Sequence, residues 1–460
     1  MKKFQFIDLF AGVGGFRLGL EAAGGICVGS AEIDQQAIKV YRQNWPTDRS
    51  DHNLGDITTL QQLPAHDLLV GGVPCQPWSI AGKNQAFDDP RGQLWADVIR
   101  LVRINQPKAF IFENVKGLID PRNRLCLESI LDSFKALGYQ VYYKLLNSFD
   151  YGVAQNRDRV FIIGIQQRLG LPDFSFPEYR ESEQRLYDIL DNLQTPSIIP
   201  ESLPIQRNLF GERIEVGFNK LTPRGAFNDF FILNDIRNGP TSIHSWEIYA
   251  TTEREKQICT TIMRNRRNPR YGDCDGNPMS YQAIAELVVD LAESELQALV
   301  QKRILRQYED AKYEFFNRRL SGGIDGTYRI FLPHARFFGT LTARGMHDEI
   351  AEISVSGSTA EEYKQNFIQQ ILIPKRHRPI TVNEAARIQG FPTTFKFHSN
   401  QSANFRLIGN SVAPPVIMAL GKALQMINLF EAELHNTPIT ARKSGRCDVV
   451  VGRNYGSMAS

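Results

Sequence analysis

Asp8-Leu9-Phe10-Ala11-Gly12-Val13-Gly14-Gly15-Phe16 reads as an apolar strand that runs into a glycine turn and then into a helix. Glycines in such a turn let the backbone come close to a ligand. On either side of it the first 165 or so residues alternate short apolar runs with amphipathic ones. Phe4–Phe10, Ile26–Ala31, Asp67–Gly72, Ala109–Phe112, Val141–Leu146 and Arg159–Ile165 have the texture of strands. Phe16–Ala23, Gln35–Asn44, Gly92–Ile104 and Leu125–Leu137 have helical spacing, the last closed by Gly138. This alternation predicts an α/β fold with a doubly wound, mainly parallel sheet, whose ligands sit beyond the carboxyl ends of the strands.

From about residue 170 the alternation is lost. Pro172, Pro177, Pro196, Pro200 and Pro204 punctuate a looser stretch, residues 247–318 are charged and helical in pattern, and 321–357 are rich in Gly and Thr. Order returns after Arg378, with a helix expected at Asn383–Gln389 and an apolar one at Pro414–Phe430. The expected organisation is a first domain built from 1–170 and 378–435, a second domain at 171–377, and a tail at 436–460.

Composition narrows the field. The chain has 460 residues, 42% of them hydrophobic, which is enough for a substantial core and excludes disorder as the dominant state. The net charge is only +3, so a polyanion would have to be met by a local basic face. Six scattered cysteines without a CxxC pair exclude a disulfide framework and offer no zinc-site spacing. No apolar run approaches the ~18 residues that a membrane span needs. Gln5 and Asp8 interrupt the stretch after Met1-Lys2-Lys3, so no secretion signal is expected.

Several residues point to chemistry. A dinucleotide fingerprint would carry glycine where Arg17 stands, which disfavours a nicotinamide site. Glu32 ends the next strand, twenty residues after Gly12, in position to accept from ribose hydroxyls. Asp56 and Ile57 follow a third turn, where they can read an adenine amino group and cover its ring. A nucleoside without a pyrophosphate suits this set, although the glycine turn alone is equally consistent with a plain turn.

Gly71-Gly72-Val73-Pro74-Cys75-Gln76-Pro77-Trp78-Ser79 is the sharpest feature. The prolines stiffen the loop and are expected to hold Cys75 partly accessible at a strand end. Cys27, Cys126 and Cys259 read as inert core thiols. Glu113 ends the strand Ala109–Phe112, where burial would favour its protonated form and let it act as an acid. Without Cys75 it would read as an ordinary carboxylate. Arg157 and Arg159 offer two guanidinium groups to the same cleft, though each alone reads as a surface ion-pair partner.

In this order the motifs closely resemble the DNA cytosine-5 methyltransferase family of bacterial restriction-modification type. Phe-Ala-Gly-x-Gly-Gly, Glu32, Asp56, Pro-Cys-Gln, Glu-Asn-Val and Gln-x-Arg-x-Arg come first. A long variable stretch follows, then Arg387-Ile388-Gln389-Gly390-Phe391-Pro392 and Gly409-Asn410-Ser411-Val412. The match covers about 1–165 and 378–425. The resemblance implies an S-adenosylmethionine-dependent methyltransferase fold, with S-adenosyl-L-methionine as cofactor and S-adenosyl-L-homocysteine as product. It implies that Phe10, Ala11, Gly12, Gly14, Glu32, Ile33, Asp56, Ile57, Pro74, Leu94, Asn410 and Val412 hold the cofactor. It further implies that Cys75 attacks cytosine C6, Glu113 protonates N3, Arg159 binds O2, and Arg157 holds the electrostatics of the cleft. The cytosine would have to be flipped out of the duplex. Many relatives carry a serine two places after Ser79, where this chain has Ala81.

The family reads DNA with its variable segment. Thr340 in Gly339-Thr340-Leu341-Thr342-Ala343-Arg344 is the best candidate for the contact beside the flipped base, with Arg344, Gln76 and Ser79 as further DNA contacts. Arg254, Lys256, Arg264, Arg266, Arg267 and Arg270 form a dense basic run suited to phosphates or guanine edges, or else a solvated helix face. Gln282–Leu305 has the spacing of two short helices and reads as packing scaffold in preference to a helix-turn-helix. The implied partners are double-stranded DNA and a cognate restriction endonuclease that is linked functionally without being bound. The chain is expected to be monomeric, cytoplasmic and nucleoid-associated, with no membrane. A tRNA-methylating relative would carry Cys-Phe-Thr, which is missing, and a non-catalytic DNA-binding relative would have an eroded catalytic set. A nicotinamide oxidoreductase explains neither Pro-Cys-Gln nor the split domain.

Overall fold

The computed structural model describes residues 3–49, 52–74, 93–179, 184–196, 228–233, 241–274, 276–316, 328–343 and 348–433. Among the described residues up to Gln166, six strands and four helices follow one another: β1 (Phe4–Leu9), α1 (Gly15–Ala22), β2 (Gly25–Ala31), α2 (Gln35–Asn44), β3 (Leu68–Gly72), α3 (Gln93–Asn105), β4 (Ala109–Val115), α4 (Arg124–Ala136), β5 (Tyr139–Asn147) and β6 (Asp158–Gln166). The sheet order is β2-β1-β3-β4-β6-β5. β2, β1, β3 and β4 pair in parallel, while β6 is antiparallel to both of its neighbours. This is the doubly wound, mainly parallel α/β arrangement of the S-adenosylmethionine-dependent methyltransferase fold.

Both faces of the sheet are covered, which is why its central strands are apolar at nearly every position. Along β4 the side chains alternate. Ala109 and Ile111 enter one core with Phe4, Phe16, Leu20 and Ile163, whereas Phe110 and Phe112 enter the other with Val98, Val102, Ile130 and Phe134. The first of these cores is completed from the far end of the chain. Val416, Ile417, Leu420 and Leu424 of the helix Pro414–Met426 pack into it, and Phe430 stacks on Phe4 with ring centroids 3.9 Å apart. The stretch Gln401–Met426 is long and apolar enough to cross a membrane by composition, contrary to expectation, but 67% of its most apolar window is buried inside the protein.

Beyond the first domain a five-stranded sheet joins distant segments in the order His377–Pro379, Glu349–Ala351, Tyr328–Phe331, Phe230–Leu233, Ser242–Ile243. A separate core collects Trp246, Ile258, Ile262, Ile284, Leu296, Leu299, Tyr313 and Phe315. It is built from the helices Glu253–Asn265, Tyr281–Ala285 and Glu293–Gln301 and a three-stranded antiparallel sheet. Here Ile284, Leu296 and Leu299 of the short helices face inward, as a scaffold requires. The expected tail lies outside the described residues.

Candidate functional site

The sheet order lines up the carboxyl ends of β2, β1 and β3, which lead directly into Glu32, Phe10 and Val73-Pro74, with that of β4, whose last rungs carry Glu113 and Asn114. Because β6 runs the other way, its first residues lie at this same edge, with Arg159 opposite Val115 in the register. One row of backbone ends therefore carries both the glycine turn and the charged pair expected to act on a base.

The turn is held in left-handed backbone conformations at Phe10 (φ 56°), Gly12 (φ 56°) and Gly14 (φ 93°). For Phe10 that conformation costs about 1–3 kcal/mol and persists only where surrounding contacts impose it. One such contact is Ala11, whose N–H donates to the Ala31 carbonyl at 3.0 Å. Another is Glu32, whose Oε2 accepts from Gly12 N–H while Oε1 accepts from Ile33 and Asp34 N–H, each at 2.8 Å. Asn53 fixes the backbone of Glu32 from both sides, accepting from its N–H and donating to its carbonyl. A β-carbon built on Gly12 would meet only the Phe10 carbonyl, at 3.9 Å, so the face of the turn is open. Beneath it Asp8 is fully buried. Burial, and next the charge of Glu32, raise its pKa well above the ordinary carboxylate value and favour its neutral form.

The remaining residues expected at the cofactor come from several segments. Ile33, next to Glu32, is 66% exposed. Asp56 caps the short turn Ile57–Thr59 by accepting from Thr58 N–H, leaving its carboxylate exposed, while Ile57 is buried beneath the turn. Pro74 is exposed, and Leu94 packs at the edge of the second core. From the far end of the chain, Ser411 and Val412 lie so close to Gly15 that any β-carbon there would overlap them. Val412 is buried against this contact, and Asn410, the last residue of the helix Gln401–Asn410, is exposed beside it. Open glycine backbone and an oriented carboxylate fit a nucleoside-type cofactor.

At the other end of the row Val73 N–H donates to the Glu113 carbonyl at 3.2 Å, and Asn114 Nδ2 donates to the Val73 carbonyl at 3.1 Å. The chain is thus anchored on Glu113-Asn114 up to Pro74. Cys75, Gln76, Ser79 and Ala81 lie outside the described residues. Glu113 is 8% exposed, and its Oε1 pairs with Arg159 Nε at 2.8 Å. Arg157 requires a correction. It does not line the cleft: it is 2% exposed and donates Nη1 to the Leu341 carbonyl at 2.9 Å and Nη2 to those of Gly409 and Ser411 at 2.8 and 2.9 Å. Burial, and next the neighbouring Arg159 charge, push its pKa well below the usual arginine range, against the pull of Glu113.

Thr340 donates its hydroxyl to the Asn156 carbonyl, which places it beside the start of β6, whereas Arg344 lies outside the described residues. Of the basic run, Arg264 is exposed and Arg267 half-buried. Arg254, Lys256 and Arg270 pair with Glu295, Glu253 and Glu286. Arg266 is corrected as a DNA contact, being 1% exposed with its guanidinium 5.6 Å from the Phe315 ring centre. It directly follows the helix Glu253–Asn265 and turns back onto the core that holds Phe315.

Two features escaped the sequence reading. Gln155 donates to Gln389 Oε1, and Gln389 in turn donates to the Ser411 carbonyl, both at 2.7 Å, so the glutamines of two quoted motifs form one buried chain. Arg17, read only as a missing glycine, is 6% exposed, paired with Glu21 and Asp48, and lies 4.4 Å from the Trp45 ring centre. Trp45 itself packs against Gly14, so this group holds the turn from behind.

Residues 4–426 match the family model described as C-5 cytosine-specific DNA methylase. The chain is 94% identical over 434 residues to the Type II methyltransferase M.HgiCII of Herpetosiphon aurantiacus, covering 94% of this chain and 99% of that protein. It is 85% identical over the same length and shares to M.HgiBI of the same organism. It is 32% identical to M.BanI of Aneurinibacillus aneurinilyticus, over 93% of this chain and 97% of that one.

Proposed function

The chain belongs to the C-5 cytosine-specific DNA methylase family, and from that premise we propose how its residues carry out the reaction. The protein is a DNA (cytosine-5) methyltransferase of the Type II restriction-modification kind. It acts on a cytosine within a specific double-stranded sequence. The observation that carries the mechanism is the Glu113–Arg159 pair at 2.8 Å, set on the same sheet edge as the open glycine turn and beside the anchored Val73-Pro74.

S-adenosyl-L-methionine supplies an electrophilic methyl group and leaves as S-adenosyl-L-homocysteine. Phe10, Gly12 and Gly14 give it a backbone cradle, Glu32 accepts from its ribose hydroxyls, Asp56 reads the adenine amino group, and Asn410 and Val412 close the far side. The target base leaves the stack at a cost of about a few kcal/mol. The Cys75 thiolate adds to C6, and the displaced electron pair makes C5 nucleophilic. Glu113 gives a proton to N3 as that charge develops, and Arg159, already held against Glu113, binds the base O2. C5 takes the methyl group, a water removes the C5 proton, and expulsion of Cys75 returns the ring to aromaticity while Glu113 recovers its proton.

Thr340 contacts the DNA backbone next to the base, and Arg264 and Arg267 approach phosphates. The protein works as a monomer in the cytoplasm, on the nucleoid, alongside an endonuclease that recognises the same site. Methylation-sensitive sequencing of DNA from cells expressing the protein tests this. One sequence motif newly carrying 5-methylcytosine is expected, and unmethylated cytosine throughout would refute it.

A further inference from the structure

Arg157 joins three pieces of chain that are distant in sequence. Its own segment pairs with the second domain through Asn156 N–H to the Phe338 carbonyl at 3.0 Å and Phe338 N–H to the Ala154 carbonyl at 2.9 Å. Its guanidinium reaches Leu341 on one side and Gly409 and Ser411 on the other. A β-carbon on Gly409 would overlap the backbone of Thr342 and Ala343, so the turn carrying Asn410 lies directly on the strip carrying Thr340. The Gln155–Gln389–Ser411 chain ties the same three pieces a second time.

The chemistry of this joint is unusual. A buried cation normally takes a carboxylate partner. Among the described residues the hydrogen bonds of Arg157 go to backbone carbonyls, and each carbonyl belongs to a segment flanking a proposed ligand contact. A cation held in this way keeps its stabilisation only while all three carbonyls stay in place, so a shift of either flank is felt by the other.

We propose that Arg157 is a positioning residue that couples the cofactor pocket to the DNA-contacting strip, so that filling either one raises the affinity of the other. The proposal rests on the reading above, in which Asn410 and Val412 touch the cofactor and Thr340 touches DNA. Order imposed on Gly409–Val412 by the cofactor passes through the guanidinium to Leu341 and so fixes Thr340 beside the base. The effect is reciprocal by thermodynamic linkage.

The test is calorimetric titration of S-adenosyl-L-homocysteine into the full-length protein, with and without a duplex carrying the site found by methylation sequencing. Wild type is expected to bind the product more tightly on DNA by a factor on the order of five or more. R157K is expected to bind each ligand alone, with that factor falling toward one. A merely structural role would weaken both titrations and leave their ratio unchanged. A folded R157K with the wild-type ratio, or a wild-type ratio of one, overturns the proposal. Hydrogen exchange on the wild type supplies a second measurement that needs no variant. Product alone, without DNA, is expected to slow exchange of the amides in 338–343, and unchanged exchange there also overturns the coupling. Wild type that binds no product at all overturns the cofactor assignment itself, a distinct result.

Discussion

Replacing Glu32 by glutamine isolates what its charge does at the cofactor end. The carboxylate accepts three backbone N–H groups at 2.8 Å, Gly12 on one oxygen and Ile33 and Asp34 on the other. Glutamine has the same size but a single accepting oxygen. If that oxygen serves Ile33 and Asp34, the amide NH2 faces the Gly12 donor and the tie to the glycine turn is lost. The site is half-buried and water can take over part of the bond, so E32Q is expected to lower folding stability by only about 1 kcal/mol. The larger effect falls on the ligand. Ribose hydroxyls lose a charged acceptor, a contact of about 1.5–3 kcal/mol, which corresponds to roughly 10- to 150-fold in affinity. Calorimetry with S-adenosyl-L-homocysteine reads this directly, and anisotropy with a duplex in the absence of cofactor is expected to be unchanged. An E32Q protein that binds the product as tightly as wild type, or that loses duplex binding in parallel, would refute the assignment of Glu32 to the ribose.

Cys75→Ser is expected to abolish methyl transfer from a radiolabelled donor while product binding persists; near-normal turnover would remove the covalent step. A duplex with 5-fluorocytosine at the target should leave a denaturation-resistant adduct on Cys75, since fluorine at C5 cannot depart as a proton, and its absence on a verified site counts against the mechanism. Arg17→Ala leaves Asp48 and Glu21 without their buried partner and is expected to cost about 2–3 kcal/mol in denaturant unfolding, discounted because both carboxylates retain some exposure; an unchanged midpoint would contradict the bracing role. Burial pushes the Cys27 thiol up to about 12, so at about pH 8 it stays protonated and iodoacetamide should leave it unmodified in the native protein; alkylation at Cys27 would show the packing to be wrong.

The first domain was legible because its signals are local. Each strand from Phe4 to Gln166 is a short apolar run between turn residues, and α2 begins and ends where its spacing indicates. The direction of β6 was not legible, since nothing within Asp158–Gln166 states which neighbour it pairs with. That direction puts Arg159 at the active edge although it stands at the beginning of its strand. Arg157, two residues earlier, was assigned to the cleft, because a charged residue in a motif looks the same whether it faces a ligand or three carbonyls. The second domain hid its architecture for a related reason. Phe230–Leu233 pairs with Tyr328–Phe331, and such long-range partnership leaves no periodic trace. Arg266 sits in a basic run that composition assigns to the surface, and only the tertiary packing just past the end of the helix Glu253–Asn265 turns it inward. The helix Gln401–Asn410 was missed because its exposed first turn, Gln401-Ser402-Ala403, is largely polar.

The stack of Phe4 on Phe430 has a consequence for biosynthesis. A ribosome adding about 5–20 residues per second delivers β1 roughly 20–85 s before the helix that covers it. Over that interval the emerging polypeptide carries a greasy sheet face that α1 covers only in part, a natural client for holding chaperones. A translation product that stops short of Pro414 lacks the helix that completes this core, and with it the anchor that holds Ser411 and Val412 against Gly15.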